Sequence, residues 1–70
     1  MSLRMQVFIN GQARPVPDGC TLDDLLALHE VQPSRVVVEI NRAIVPKAAY
    51  GALRINAGDS VEILRFVGGG

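Results

Sequence analysis

Thr21-Leu-Asp-Asp-Leu-Leu-Ala-Leu-His-Glu30 is the longest stretch with helical spacing in a chain of 70 residues. Leu22, Leu25, Leu26 and His29 recur three and four apart and form one apolar stripe, with Leu28 to its side. The Thr21 hydroxyl suits a free N–H of the first turn, and Asp24, three residues on, makes a weaker relative of a capping box. Asp23 and Asp24 also favour the positive end of the helix dipole. Pro33 restricts Gln32, so the helix is predicted to fade by about Val31.

Strands are predicted on both sides of this helix. Met5-Gln-Val-Phe-Ile-Asn10 alternates except at Phe8, which places Met5, Val7 and Ile9 on one face. Asn10-Gly11 is a hairpin signal, and residues 12–16 return as a second strand, which Pro15 assigns to a sheet edge. Pro17-Asp18-Gly19 closes this unit as a turn. After the helix, Arg35-Val-Val-Val-Glu-Ile-Asn41 is β-branched and suits an interior strand. Residues 43–45 form a short strand stopped by Pro46, residues 47–50 a single helical turn, and residues 53–55 a brief pairing. Ala57-Gly-Asp59 is a turn, and Ser60-Val-Glu-Ile-Leu-Arg-Phe66 is the last strand.

Hairpin, helix and three further strands make an α+β domain, a mixed sheet packed on one helix in the β-grasp or ubiquitin-like arrangement. The first strand after the helix is expected to lie parallel to one before it. The domain is expected over residues 5–67, with 68–70 a flexible glycine tail. Residues 1–4 carry no pattern and read as a disordered extension or cloning scar.

Composition excludes several functions. A domain of this size buries about 60% of its unfolded surface, which leaves no room for a deep pocket. Seven basic and seven acidic residues cancel, so neither nucleic acid nor an anionic membrane is expected as a partner. No apolar run approaches the roughly 20 residues of a membrane span, and no signal-peptide pattern opens the chain, so the expected location is cytoplasmic. The lone Cys20 excludes an internal disulfide or thiolate cluster, and the lone His29 a conventional zinc site.

The remaining candidates for chemistry are few. Cys20 sits beside a helix start, which lowers thiol pKa, but has no base near it in sequence; a small, partly buried side chain is the simpler reading. His29 lacks a paired acid or second ligand and reads as a surface or interface histidine. Asp23 and Asp24 are adjacent and do not face each other on a helix; capping and solvation explain them and Glu30 better than acid–base work. Gly68-Gly69-Gly70 is not a phosphate loop, since no helix follows. The glycines read either as a frayed end or as a lead that carries a free α-carboxylate into a partner's active site. Phe8, Leu64 and Phe66 point away from the helix if Val7, Ile9, Val61 and Ile63 point toward it. A cluster there is a candidate partner-docking surface, with a homodimer contact as the alternative.

Several segments together resemble the ThiS family of thiamin-biosynthesis sulfur carriers: Gln6-Val-Phe-Ile-Asn-Gly11, Thr21-Leu-Asp-Asp-Leu-Leu26, Val38-Glu-Ile-Asn-Arg-Ala-Ile-Val-Pro46 and Gly58-Asp-Ser-Val-Glu-Ile-Leu-Arg-Phe-Val-Gly-Gly-Gly70. The resemblance covers residues 5–70. Its most specific part is the Gly58-Asp59 turn, the last strand and the Gly-Gly end. Arg42 departs from it, since many members carry glycine there.

The resemblance implies a carrier and not an enzyme, with no cofactor of its own. A ThiF-like partner adenylates the carboxylate of Gly70 with ATP and magnesium. Sulfur from a cysteine-desulfurase route displaces AMP and leaves a thiocarboxylate. A ThiG-like thiazole synthase then takes the sulfur. Gly68 and Gly69 match the thin lead, and residues 67–70 fully extended reach about 14 Å. Two other readings share parts of this pattern: the small subunit of molybdopterin synthase or another β-grasp sulfur carrier, and a ubiquitin-like interaction module with inert glycines.

Overall fold

Asn10 (φ 49°) and Gly11 (φ 83°) both adopt left-handed backbone, which makes the first turn a two-residue type I′ hairpin. It joins β1 (Arg4–Ile9) to β2 (Gln12–Pro17) in an antiparallel ladder from Ile9↔Gln12 to Arg4↔Pro17. The computed structural model describes residues 3–65. The other elements are α1 (Leu22–Leu28), β3 (Val36–Ile40), β4 (Ala43–Ile44) and β5 (Ser60–Arg65), with short 3₁₀ turns at Pro33–Arg35 and Lys47–Ala49.

The sheet order is β2-β1-β5-β3-β4. β5 lies in the middle, parallel to β1 and antiparallel to β3. The expected parallel relation holds for direction but not for pairing. The strand after the helix does not pair in parallel with an earlier one; the parallel partner of β1 is the last strand. β3 returns along the direction of β2, with two lanes between them, and leaves the lane beside β1 for β5. β2 takes an edge, as its prolines require. Arg4 opens β1 opposite Pro17, and the Leu3 carbonyl accepts from the Asp18 N–H at 2.6 Å.

α1 spans seven residues, and both of its ends are fixed. At the start, Thr21 Oγ1 accepts from the Asp24 N–H at 3.2 Å and Asp24 Oδ2 accepts from the Thr21 N–H at 3.1 Å, a complete capping box. At the end, Glu30 N–H donates to Ala27 C=O and Val31 N–H to Leu26 C=O, with Glu30 at φ 58°. This is a Schellman closure with glutamate in the place glycine usually takes. Leu22, Leu25 and Leu26 are fully buried against Val7, Val38 and Val61 of the sheet. Residues 50–55 stitch the helix start from below: Leu22 N–H donates to Leu53, Asp23 N–H to Tyr50, and Ile55 N–H to Cys20.

A second left-handed pair, Asn41 (φ 52°) and Arg42 (φ 73°), turns β3 into β4. Asn tolerates this conformation; arginine pays about 1–2 kcal/mol for it. Arg42→Gly is therefore expected to raise the unfolding free energy by about 1 kcal/mol in urea denaturation, less whatever glycine adds to unfolded-state entropy. A midpoint that stays put or falls would contradict the strained turn.

Candidate functional site

The described part of the chain ends at Arg65, opposite Val36 at the start of β3. Phe66, Gly68, Gly69 and Gly70, singled out above, lie outside the described residues. What the structure supplies is the root of that segment. It is held on both sides. On one side β5 pairs with β3 from Ile40↔Val61 to Val36↔Arg65. On the other, β1 contributes two registered positions, Phe8↔Ser60 and Ile9↔Val61, before its hairpin turns away.

Two asparagine side chains complete these pairings. Asn10 Oδ1 accepts from the Ile63 N–H at 2.8 Å, and its Nδ2 lies 3.5 Å from the Ile63 carbonyl. The primary amide therefore stands where a further residue of β1 would have bonded. At the other end of β5, Asn41 Oδ1 accepts from the Ser60 N–H at 3.0 Å and Asn41 Nδ2 donates to Asp59 Oδ1 at 3.0 Å. Asp59 Oδ2 in turn accepts from the Asn56 N–H at 2.9 Å, which closes the turn containing Gly58. Gly58 needs its φ of 83° and donates to the Gln6 carbonyl at 2.8 Å.

Phe8 and Leu64 both lie on the sheet face away from α1, exposed at 43% and 50%. Val61 is fully buried on the opposite face, and Ile63 packs against the core beside it. Phe8 and Leu64 do not form a contiguous patch. Phe8 aligns with Ser60, four residues before Leu64, or about 13 Å along the strand. The intervening row is Glu62↔Glu39, with Ile44 next to Glu39 at the sheet edge. Val37 lies beside Leu64 and extends the apolar area there. Sequence reasoning missed Val37 and Ile44, because only the β3–β5 and β3–β4 registers show which face they share with Leu64.

No catalytic constellation accompanies these residues. Among the described residues no three His, Cys, Asp or Glu side chains are grouped to hold a metal ion. None of the described helices is long and apolar enough to cross a membrane. His29 is half-buried at the end of α1, and its Nε2 is enclosed without a hydrogen-bond partner. Cys20 is 6% exposed in the core. Burial, and then the negative charge of Asp24, pushes its thiol above the ordinary range, which is the opposite of activation.

A model of the ThiS family matches residues 7–70 of the chain. The chain is 40% identical over 53 residues to the sulfur carrier protein ThiS of Bacillus subtilis, covering 76% of this chain and 80% of that one. It is 41% identical over 66 residues to a thiazole synthase of Paramagnetospirillum magneticum, covering 94% of this chain but only 20% of the synthase. A similar synthase of Magnetococcus marinus is likewise matched over 20% of its length. The crystal structure of a thiamine biosynthesis protein (ThiS) from Geobacter metallireducens superposes with a TM-score of 0.82 at 33% identity, covering 94% of this chain and all of that one.

The raised Cys20 thiol sets a pH dependence. The folded state holds this proton to higher pH than the unfolded state, so the stability it contributes falls as pH rises through the unfolded thiol range and on through the folded pKa. Between about pH 8 and 10, the melting temperature of the wild type should fall more steeply than that of Cys20→Ala. Parallel curves would show that the thiol is not shifted.

Proposed function

The chain belongs to the ThiS family, the sulfur carriers of thiamin biosynthesis, and we propose that the α-carboxylate of Gly70 is the group that carries the sulfur. It acts as a carrier and not as an enzyme. The observation that carries the proposal is the extent of the family match, which begins in β1 and runs through all three glycines. The shared unit is therefore the β-grasp body together with its tail.

A carboxylate is a poor electrophile until one oxygen becomes a good leaving group. In the proposed route, the Gly70 carboxylate attacks the α-phosphorus of ATP in a ThiF-like partner that holds the nucleotide and magnesium. Pyrophosphate leaves and an acyl adenylate forms. The terminal sulfur of a persulfide, supplied through a cysteine desulfurase, then attacks the acyl carbon, and AMP departs with the bonding electron pair. A thiol attacks the S–S bond of the acyl disulfide so formed and leaves as a disulfide. The thiocarboxylate that results is delivered to a thiazole synthase. The two synthases that contain a segment like this chain support that last partner. The glycines before Gly70 leave no side chain to obstruct a narrow passage. A rigid root improves the orientation of the reacting carboxylate, which is where the gain in rate arises.

The open face of the sheet is the proposed docking surface for the adenylating partner, centred on Leu64 and Val37 with Phe8 at its far end. Leu64 is half exposed and makes little of the core. Leu64→Asp is expected to change stability by less than about 1 kcal/mol while weakening the partner complex about tenfold or more. Calorimetric binding beside urea denaturation separates the two effects; unchanged affinity would remove this face from the docking account.

Intact-mass spectrometry tests the central proposal. After incubation with the ThiF-like enzyme, ATP, magnesium and a desulfurase-loaded sulfur donor, the carrier should gain the mass of one sulfur-for-oxygen exchange, located at Gly70. A chain lacking Gly69 and Gly70 should not gain it. Absence of exchange in the full chain, with both enzymes active on a known substrate, rules the proposal out.

A further inference from the structure

Among the described residues, the sheet has an unfinished lane beside the end of β5. Along β5, Val61, Ile63 and Arg65 turn their backbone groups toward β1, while Ser60, Glu62 and Leu64 turn theirs toward β3. Val61 C=O accepts from the Asn10 N–H at 2.9 Å, and Ile63 is met by the Asn10 side chain. β1 has turned away by then, so the N–H and C=O of Arg65 face the space past Asn10. That space is an open hollow of about 380 Å³. Its walls include Asn10 and Arg14 of the hairpin, His29 and Val31 at the end of α1, and Ile63 and Arg65 of β5.

Charge marks the same end of the molecule. A second hollow of about 330 Å³ lies across Arg65, lined by Glu30, Arg35 and Val36 among others. Lys47 reaches this end too, where its Nζ donates to the Ser34 carbonyl at 3.2 Å. Four of the seven Lys and Arg of a chain with zero formal net charge therefore gather here: Arg14, Arg35, Lys47 and Arg65. Among the described residues, Glu30 is the one carboxylate that lines either hollow. The remaining acids lie in the turn after β2, at the helix start, in the Gly58-Asp59 turn and on the open face.

We propose that this lane is a docking site for an extended, acidic segment of a partner protein, which adds to β5 as a short strand beyond Asn10. An unpaired edge offers main-chain bonds to such a segment, and alternate side chains supply the specificity. Side chains on the helix side of the added strand meet Arg14, Arg65 and His29, and carboxylates suit that position. Side chains on the other side lie next to Leu64, and apolar groups suit that one. The segment therefore alternates acidic and apolar residues. The inference stands on geometry and charge, so its outcome and that of the carrier proposal are independent.

The probe is an acetylated, amidated pentapeptide of alternating glutamate and valine, titrated at low salt against the full chain labelled with ¹⁵N. Amide shifts are expected at Ile63 and Arg65, at the hairpin from Asn10 to Arg14, and at His29 and Val31. Arg14→Glu and Arg65→Glu should each weaken binding about tenfold, with Arg4→Glu, at the opposite end of β1, as an unaffected control. The spectra themselves show whether each variant is folded. Several results overturn the proposal: no shifts at millimolar peptide, equal shifts from a lysine–valine peptide, shifts confined to the open face, or binding that survives both arginine reversals.

Discussion

The fold depends on holding β5, the last strand in sequence, in the middle lane of the sheet. Backbone pairing alone is uneven: five registered positions with β3 and two with β1. The shortfall is met by Asn10, whose side-chain amide imitates a peptide group opposite Ile63. Asn41 does the corresponding work at the start of the strand, opposite Ser60. Both asparagines occupy left-handed positions in two-residue turns. One residue type thus satisfies two demands, because it tolerates that backbone and carries both a donor and an acceptor. Each hairpin turn is also a clamp on the strand that leads to the glycines.

The division of labour in a carrier follows from this. The described residues group no three His, Cys, Asp or Glu side chains to hold a metal ion, and burial pushes the Cys20 thiol up, away from activation. The body instead contributes a fixed point of departure. The Leu22, Leu25 and Leu26 stripe, capped at Thr21 and closed at Glu30, packs beneath Val38 and Val61 and stiffens the sheet under the root of the tail. The open face at Leu64 and the end of β5 at Arg65 adjoin where the described residues end.

Much of this was legible in the sequence because local and global signals agree. Asn10-Gly11 gave the hairpin, Thr21 and Asp24 the helix start, and Pro15 an edge strand, each through a local rule that the packed structure keeps. What escaped was non-local. Nothing in residues 35–41 says that β5 will come between β3 and β1. The separation of Phe8 from Leu64 by the Glu39–Glu62 row needs the register of two strand pairs. Pro33 placed the end of the helix near Val31, but the left-handed Glu30 that closes it carries no compositional signal. The tail glycines were visible in composition, but their meaning came from resemblance to other chains and not from local physics.

The prolines of β2 carry a consequence for behaviour in solution. A two-residue hairpin with Ile9 and Gln12 as its first bonded pair turns the nitrogens of Pro15 and Pro17 outward, so the rim of the sheet lacks two donors that another chain would seek. At the far rim, β4 has two residues and Pro46 follows shortly after. Short, proline-blocked rims resist edge-to-edge aggregation.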